Sequence, residues 1–254
     1  MTETLIPEFC ADHAFISLSG GLDSTCLMMT MLASGKTVHA ISFKYGQKHN
    51  IELKKVTQNI KFLQKQGMQV DHHIVDLTSA FALSASTLKA TGGAIPEGHY
   101  ADENMKSTVV ENRNVIFSSI IYGMALGYAN QHNCNVYITQ GIHAGDHTIY
   151  PDCRPESFEA AAHLYKISNW NSERVEFIAP FVNLTKTEVL QAGIDAMEKL
   201  GFNARGIKKI LSNTHTCYNP DPEGRSCGKC GSCTERLEAF AAVGMEDPVP
   251  YIND

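Results

Sequence analysis

The sequence predicts an α/β fold: a parallel sheet covered by helices on both faces, with a small metal-bound module at the C-terminal end. Three observations predict it. Short apolar runs alternate with helix-period stretches along most of the chain. The first run stops at a glycine pair and leads straight into a helical pattern. Beyond Leu211, apolar periodicity gives way to Cys, Gly and Pro. Strand and helix alternation favours a parallel sheet, because each crossover helix returns the chain in the direction of the strand before it.

The elements follow in order. Ala14 to Leu18 is a short apolar run ending at Ser19-Gly20-Gly21 and reads as a buried strand. Asp23 to Ala33 carries Leu27, Met28, Met31 and Leu32 at helical spacing. Val38 to Phe43 is a second strand, Asn50 to Gln66 a helix with Ile51, Val56, Ile60 and Leu63 on one face, and Val70 to Leu77 a third strand. Ser84 to Asn112 is polar and glycine-rich, and a loop that long inside a compact domain is usually functional or mobile. The alternation resumes with a helix over Val115 to Asn130 and a strand over Asn135 to Thr139. A helix opened by Pro155-Glu156, a strand over Val175 to Ile178 and a helix over Thr185 to Leu200 follow. The expected division is residues 1–211 for the α/β domain and 212–254 for the C-terminal module, closed by a helix from Thr234 to Ala242.

Bulk properties narrow the function. The 254 residues are 43% apolar and 19% charged, an ordinary balance for a chain with a sizeable core. The net charge of −6 argues against a nonspecific nucleic-acid binder, which needs a basic surface to displace counterions. Neither a signal peptide nor an apolar run long enough for a membrane span is visible, so a cytoplasmic protein is expected.

The turn Ser19-Gly20-Gly21-Leu22-Asp23-Ser24 has a physical logic. Two glycines let the backbone bend tightly and approach a ligand, and loop N–H groups, the helix N-terminus and two serine hydroxyls converge on one point. Such a point binds an anion, and Asp23 adds a carboxylate suited to magnesium on phosphates. Near the other end, Cys217, Cys227, Cys230 and Cys233 supply four thiolates at spacings that close a tetrahedral zinc shell, with Gly228 and Gly231 relieving the backbone. A closed shell makes that zinc structural; iron–sulfur ligation and redox disulfides are the rivals.

The glycine turn resembles the PP-loop, SGGxDS, of the ATP-pyrophosphatase superfamily. Further segments resemble one family within it, the 7-cyano-7-deazaguanine synthases (QueC family). These are Leu18 to Thr25, Phe43-Lys44-Tyr45-Gly46-Gln47-Lys48-His49, Val110-Glu111-Asn112-Arg113-Asn114, Gly141-Ile142-His143-Ala144-Gly145-Asp146, Tyr150-Pro151-Asp152-Cys153-Arg154-Pro155, and Thr216-Cys217-Tyr218 with the three later cysteines. They run in family order across nearly the whole chain.

The resemblance implies an adenine nucleotide α-hydrolase-like (HUP/PP-loop) three-layer fold. It also implies a ligase that uses ATP with magnesium to turn 7-carboxy-7-deazaguanine and ammonia into the 7-nitrile, in queuosine biosynthesis. Leu18, Ser19, Gly20, Gly21, Leu22, Asp23, Ser24, Thr25, Cys26, Leu27 and Met28 become the nucleotide segment, with Cys26 itself expected in the core. Asp23, Ser24, Arg113 and Lys186 become the catalytic set, the two cations neutralising phosphate charge. Asp146, Asp152 and Arg154 become substrate contacts; Tyr45 and Gln47 border the nucleotide. His143 and His147 line the pocket or cap a loop. A homodimer is implied, with free ammonia as nitrogen donor since no amidotransferase domain is visible.

Two departures stand out. Glu111 occupies a place where the family has proline or glycine near the Arg-Asn pair, and Lys44 replaces a usual acid. They leave open a ligase that stops at the amide or joins the activated acid to another amine. A tRNA sulfurtransferase on the same fold, with Cys153 carrying sulfur, is a second alternative.

Overall fold

The computed structural model describes residues 5–48, 51–98 and 103–252. Its centre is one five-stranded parallel sheet in the order β3-β2-β1-β4-β5, formed by β1 (His13–Ser17), β2 (Thr37–Lys44), β3 (Val70–Asp76), β4 (Val136–Thr139) and β5 (Val175–Ile178). β1 lies in the middle, pairing Phe15 with His39 on one side and with Ile138 on the other.

Period-two alternation divides each strand between two cores. Ala14 and Ile16 of β1, Val38 and Ala40 of β2 and Tyr137 of β4 face one side. There they meet α1 (Leu22–Ala33), α2 (Ile51–Lys65), α5 (Lys186–Lys199), α6 (Ala204–Ser212) and α7 (Gly231–Ala242). Phe15, Ile41, Phe43 and Ile138 face the other side, against α3 (Arg113–His132) and α4 (Pro155–Ser168). This is the three-layer α/β arrangement expected. The chain winds outward through β2 and β3, then returns to build β4 and β5 beyond β1. The reversal opens a crevice at the carboxyl ends of β1 and β4, where doubly wound sheets bind ligands.

Differences from the expected elements have local causes. α3 starts at Arg113, two residues early, because Asn112 takes a left-handed conformation (φ 55°) that turns the chain into it. α7 starts inside the cysteine run, with Cys230 at its N-cap position. α6 is unforeseen, a nine-residue helix with Ile207, Ile210 and Leu211 buried, lying against the point where composition changes. The helix expected from Asn50 is described from Ile51, and His49 and Asn50 lie outside the described residues. The long polar loop holds a 3-10 turn (Glu103–Thr108) and buries Leu88 and Val110 in the second core; its residues 99–102 lie outside the described ones.

The C-terminal segment is joined to this frame by a buried ion pair. Arg236 of α7 donates to both oxygens of Asp247 (2.6 and 2.9 Å) and to the hydroxyls of Thr214 and Thr216 (2.8 and 3.0 Å). Asp247 also accepts from Tyr251 (2.7 Å), so the guanidinium's donors and the carboxylate's lone pairs both find partners. Phe240 of the same helix enters the first core.

Candidate active site

The turn after β1 shows why its residues are small. Gly20 has φ +94°, and a Cβ there would come within 2.7 Å of the Glu52 carbonyl on α2. The serines brace each other, with Ser19 Oγ 3.0 Å from Ser24 Oγ and accepting from the Gly21 N–H at 3.1 Å. No side chain caps the first turn of α1. Its N–H groups therefore point into the crevice with the positive end of the helix dipole, ready for an anion. Gly141, just past β4, packs against this turn, where a Cβ would lie 3.2 Å from the Ser24 nitrogen.

Charged groups gather beside the turn. Lys186 is the first residue of α5, and a reciprocal cap between Thr185 and Glu188 fixes where that helix begins. Its ammonium lies 2.7 Å from Asp23, 3.3 Å from His143 Nε2 and 3.4 Å from Glu235 of α7. Burial is the largest single influence and would lower the lysine and raise the aspartate, but their mutual attraction, joined by Glu235 and Asp146 around the lysine and His143 beside the aspartate, outweighs it, so Lys186 is pushed up, Asp23 is pulled down and both are charged. His143 also stands 3.6 Å from Asp146, and it caps its own loop by accepting from the Gly145 N–H at 3.1 Å. One buried oxygen of Asp23, Oδ1, has no hydrogen-bond partner. That unsatisfied acceptor beside the glycine turn would suit a hard cation such as magnesium.

The opposite wall is aromatic. Phe43 at the end of β2 stacks on Phe117 of α3 at 3.9 Å and 11°. The Arg113 guanidinium lies over the rings of Tyr45 and Tyr150, at 5.8 and 5.9 Å. Tyr150 is held by Thr108 and Tyr218 through its hydroxyl. Glu52 lines the same crevice, and burial pushes its carboxyl up to about 7 while Arg113 pulls the other way. A flat apolar slot with a few convergent polar groups suits a planar heterocycle.

The structure brings Leu18, Ser19, Gly21, Asp23, Ser24, Arg113, Asp146 and Lys186 to this one crevice, with Tyr45 and Gln47 also on its lining. It does not bring Asp152 and Arg154 there. The 3-10 turn Pro151–Cys153 aims Asp152 at the start of α3, where it accepts from the Asn114 N–H at 2.9 Å. Arg154 is exposed and donates to the His147 carbonyl at 2.9 Å. Leu22, Cys26, Leu27 and Met28 are fully buried in the first core and Thr25 is 2% exposed, because the helix that begins at the turn presents these side chains away from the ligand. Burial raises the Cys26 thiol to about 12 and Cys153 well above its usual range, so neither is a ready thiolate. Lys44 and Glu111 both point outward, to Asp76 (3.1 Å) and Ser84 (2.6 Å). Glu52 and Phe117 line the crevice and Glu235 stands beside Lys186, each on an ordinary-looking helix without a local motif, while Tyr150 lies in a family-like segment but carried no expected role.

The four expected cysteines converge, with all sulfurs within 4.8 Å of one another and Cys227 Sγ 4.0 Å from Cys233 Sγ. Sulfurs around a zinc at about 2.3 Å sit about 3.8 Å apart, so the set fits one tetrahedral ion. Backbone N–H groups of Asn219 and Cys227 donate to Cys217 Sγ, and those of Lys229 and Cys230 to Cys227 Sγ, which favours thiolates. Among the described residues no other group of His, Cys, Asp and Glu converges this way. No described helix is long and apolar enough to cross a membrane.

Comparison with known proteins agrees with this geometry. The family model described as "Queuosine biosynthesis protein QueC" matches residues 13–244. The chain is 43% identical over 241 residues to the 7-cyano-7-deazaguanine synthase of Marinomonas sp. (strain MWYL1), covering 95% of this chain and 99% of the relative. It is 39% identical over 239 residues to the 7-cyano-7-deazaguanine synthase of Caldicellulosiruptor saccharolyticus, covering 94% and 95%. A 7-cyano-7-deazaguanine synthase 1 from Colwellia psychrerythraea is 41% identical over 241 residues, with 95% and 99% covered. Among solved structures, an NMN synthetase from Francisella tularensis matches at 12% identity with a TM-score of 0.41 over 93% of this chain and 79% of that one, too loosely to bear on function. By the family match and by identity over nearly its full length, the chain belongs to the QueC family of queuosine biosynthesis proteins.

Proposed function

We propose that the protein is a 7-cyano-7-deazaguanine synthase that converts 7-carboxy-7-deazaguanine and ammonia to the nitrile at the expense of ATP. The observation that carries the reading is the meeting of an uncapped helix N-terminus, the Asp23–Lys186 pair and an aromatic slot in one crevice. It occurs in a chain whose relatives bear that name.

A carboxylate oxygen is a poor leaving group, and phosphorylation chemistry removes the difficulty. The carboxylate oxygen attacks the α-phosphorus of ATP, and pyrophosphate leaves into the N–H cradle of the glycine turn. Ammonia adds to the acyl adenylate and expels AMP with that oxygen, leaving the amide. Attack of the amide oxygen on a second ATP expels pyrophosphate again, and loss of AMP with the second oxygen and the remaining amide protons leaves the nitrile. Lys186 and Arg113 supply positive charge beside the departing phosphates. Asp23 would hold magnesium, whose Lewis acidity withdraws electrons from the phosphates. Asp146 accepts hydrogen bonds from the donor edge of the guanine-like ring. Asp152 and Arg154 act as braces for Asn114 and His147. Cys217, Cys227, Cys230 and Cys233 would hold one structural zinc. A cytoplasmic homodimer completes the reading, and light scattering of the purified protein tests the dimer.

The amide-stopping alternative drew on Lys44 and Glu111, which face away from the crevice. The sulfurtransferase alternative needs an activated Cys153, whose thiol is buried and held protonated. The test is incubation with the carboxy-deazaguanine, ATP, magnesium and ammonium, followed by mass spectrometry. Nitrile is expected; amide as the sole product would overturn the reading. Cys230→Ser should lower zinc content below one per chain and reduce soluble yield.

A further inference from the structure

Glu235 stands out as a charged residue with no place in the motif set. It belongs to α7, the helix that begins in the cysteine cluster, and follows Cys233 by two residues. Its carboxylate is largely buried, 14% exposed, and reaches across to α5 to lie 3.4 Å from the Lys186 ammonium and 3.9 Å from His143 Nε2. Gly145 leaves the room it occupies, since a Cβ there would collide with Glu235 Oε1. A second connection leaves the other end of the cysteine cluster. His215, two residues before Cys217, donates its backbone N–H to the Gly20 carbonyl at 2.8 Å. The two ends of the thiolate set thus touch the two parts of the anion site, the glycine turn and the lysine.

Lys186 has two carboxylate neighbours here, Asp23, to which it donates at 2.7 Å, and Glu235 at 3.4 Å, whose Oε2 is buried without a hydrogen-bond partner. Asp23 faces two demands, because it lines the crevice and its other oxygen is buried without a hydrogen-bond partner. When Asp23 is engaged by the cation on a nucleotide, its hold on the ammonium weakens. Glu235 carries no second charge partner besides Lys186 and His143 among the described residues. It is therefore free to keep the ammonium in place at that moment.

We propose that Glu235 is a positioning residue that retains Lys186 at the phosphate site during nucleotide binding, and so ties the geometry of that site to the metal-bound helix α7. The inference rests on the ATP reading above and adds a residue and a mechanical link to it. Charge alone makes the opposite prediction: removing an anion near phosphates should tighten nucleotide binding. Positioning predicts weaker binding, which makes the sign of the effect decisive.

The test uses the full zinc-loaded chain and its Glu235→Gln variant. Affinity for α,β-methylene ATP with magnesium is measured by calorimetry, alongside zinc content, melting temperature, and KM and kcat for ATP. The expected result is affinity about tenfold weaker, as for loss of a charge-assisted contact. KM for ATP should rise with it more than kcat falls, with zinc content still one per chain. Gly145→Ala provides a second route: its Cβ would collide with Glu235 Oε1 and with the His143 ring, displacing two neighbours of Lys186 while leaving Glu235 in the sequence, and should weaken nucleotide binding in the same direction. Unchanged or tighter binding in both variants overturns the proposal. So does a loss of zinc and melting temperature with KM for ATP unchanged, which would make Glu235 a purely structural residue. Failure of the unsubstituted protein to bind the nucleotide would remove the ATP reading together with this inference, whereas tight binding by it and by both variants removes the inference alone.

Discussion

The two walls of the crevice are built in different ways. The wall proposed to take phosphate is a short contiguous stretch from Leu18 to Ser24 that would act through backbone N–H groups and the start of α1. The aromatic wall draws single residues from distant places: Phe43 from β2, Glu52 from α2, Arg113 and Phe117 from α3, and Tyr150 from the loop after β4. A site made of backbone depends on conformation at a few positions and tolerates little. A site made of dispersed side chains spreads its energy over many contacts. Single substitutions should therefore be severe on the first wall and mild on the second.

Asp23→Asn should have the largest effect. It removes the charge paired with Lys186 and turns one of the two carboxylate oxygens into an NH2 donor, and turnover should fall on the order of 10²- to 10³-fold with zinc content unchanged. Steady-state kinetics and metal analysis check both halves. Gly20→Ala comes next. A left-handed residue forced to carry a Cβ costs roughly 1–3 kcal/mol, and the collision with the Glu52 carbonyl adds to it. Denaturant unfolding should show that loss together with weakened nucleotide binding.

Phe117→Leu probes the opposite wall. Stacked aromatic pairs are worth about 0.5–1.5 kcal/mol beyond their buried area, so KM for the carboxy-deazaguanine should rise only a few-fold while KM for ATP stays put. A hundredfold effect there would break the contrast between the walls. The smallest effect belongs to Glu52. Its folded carboxyl titrates at about 7 against 4.5 ordinarily, so between those values the folded state binds more protons than the unfolded state. Stability should therefore decline as pH rises through that window and level off above it. Glu52→Gln should flatten that part of the melting-temperature profile.

The same contrast explains what the sequence disclosed. The sheet was legible because buried parallel strands are short apolar runs, as from Ala14 to Leu18 and from Val175 to Ile178. The glycine turn and the four cysteines were legible because each chemistry needs particular residue types at close spacing. Asp152 and Arg154 show the limit. They sit in a conspicuous run, yet a single 3-10 turn sends their side chains to helix and loop braces outside the crevice. Glu235 and Glu52 show the converse, since only the packing of α7 and α2 against the site gives meaning to two unremarkable helical acids. α6 escaped notice because its few buried residues fall at the edge of the cysteine-rich segment.

The central claim is that the glycine turn holds a nucleotide whose AMP half passes to a carboxylate oxygen. The most direct test uses carboxy-deazaguanine labelled with ¹⁸O in its carboxylate, incubated with ATP, magnesium and ammonium. The account predicts ¹⁸O in the AMP released and none in pyrophosphate. Label appearing in inorganic phosphate with ADP as the nucleotide product would contradict it.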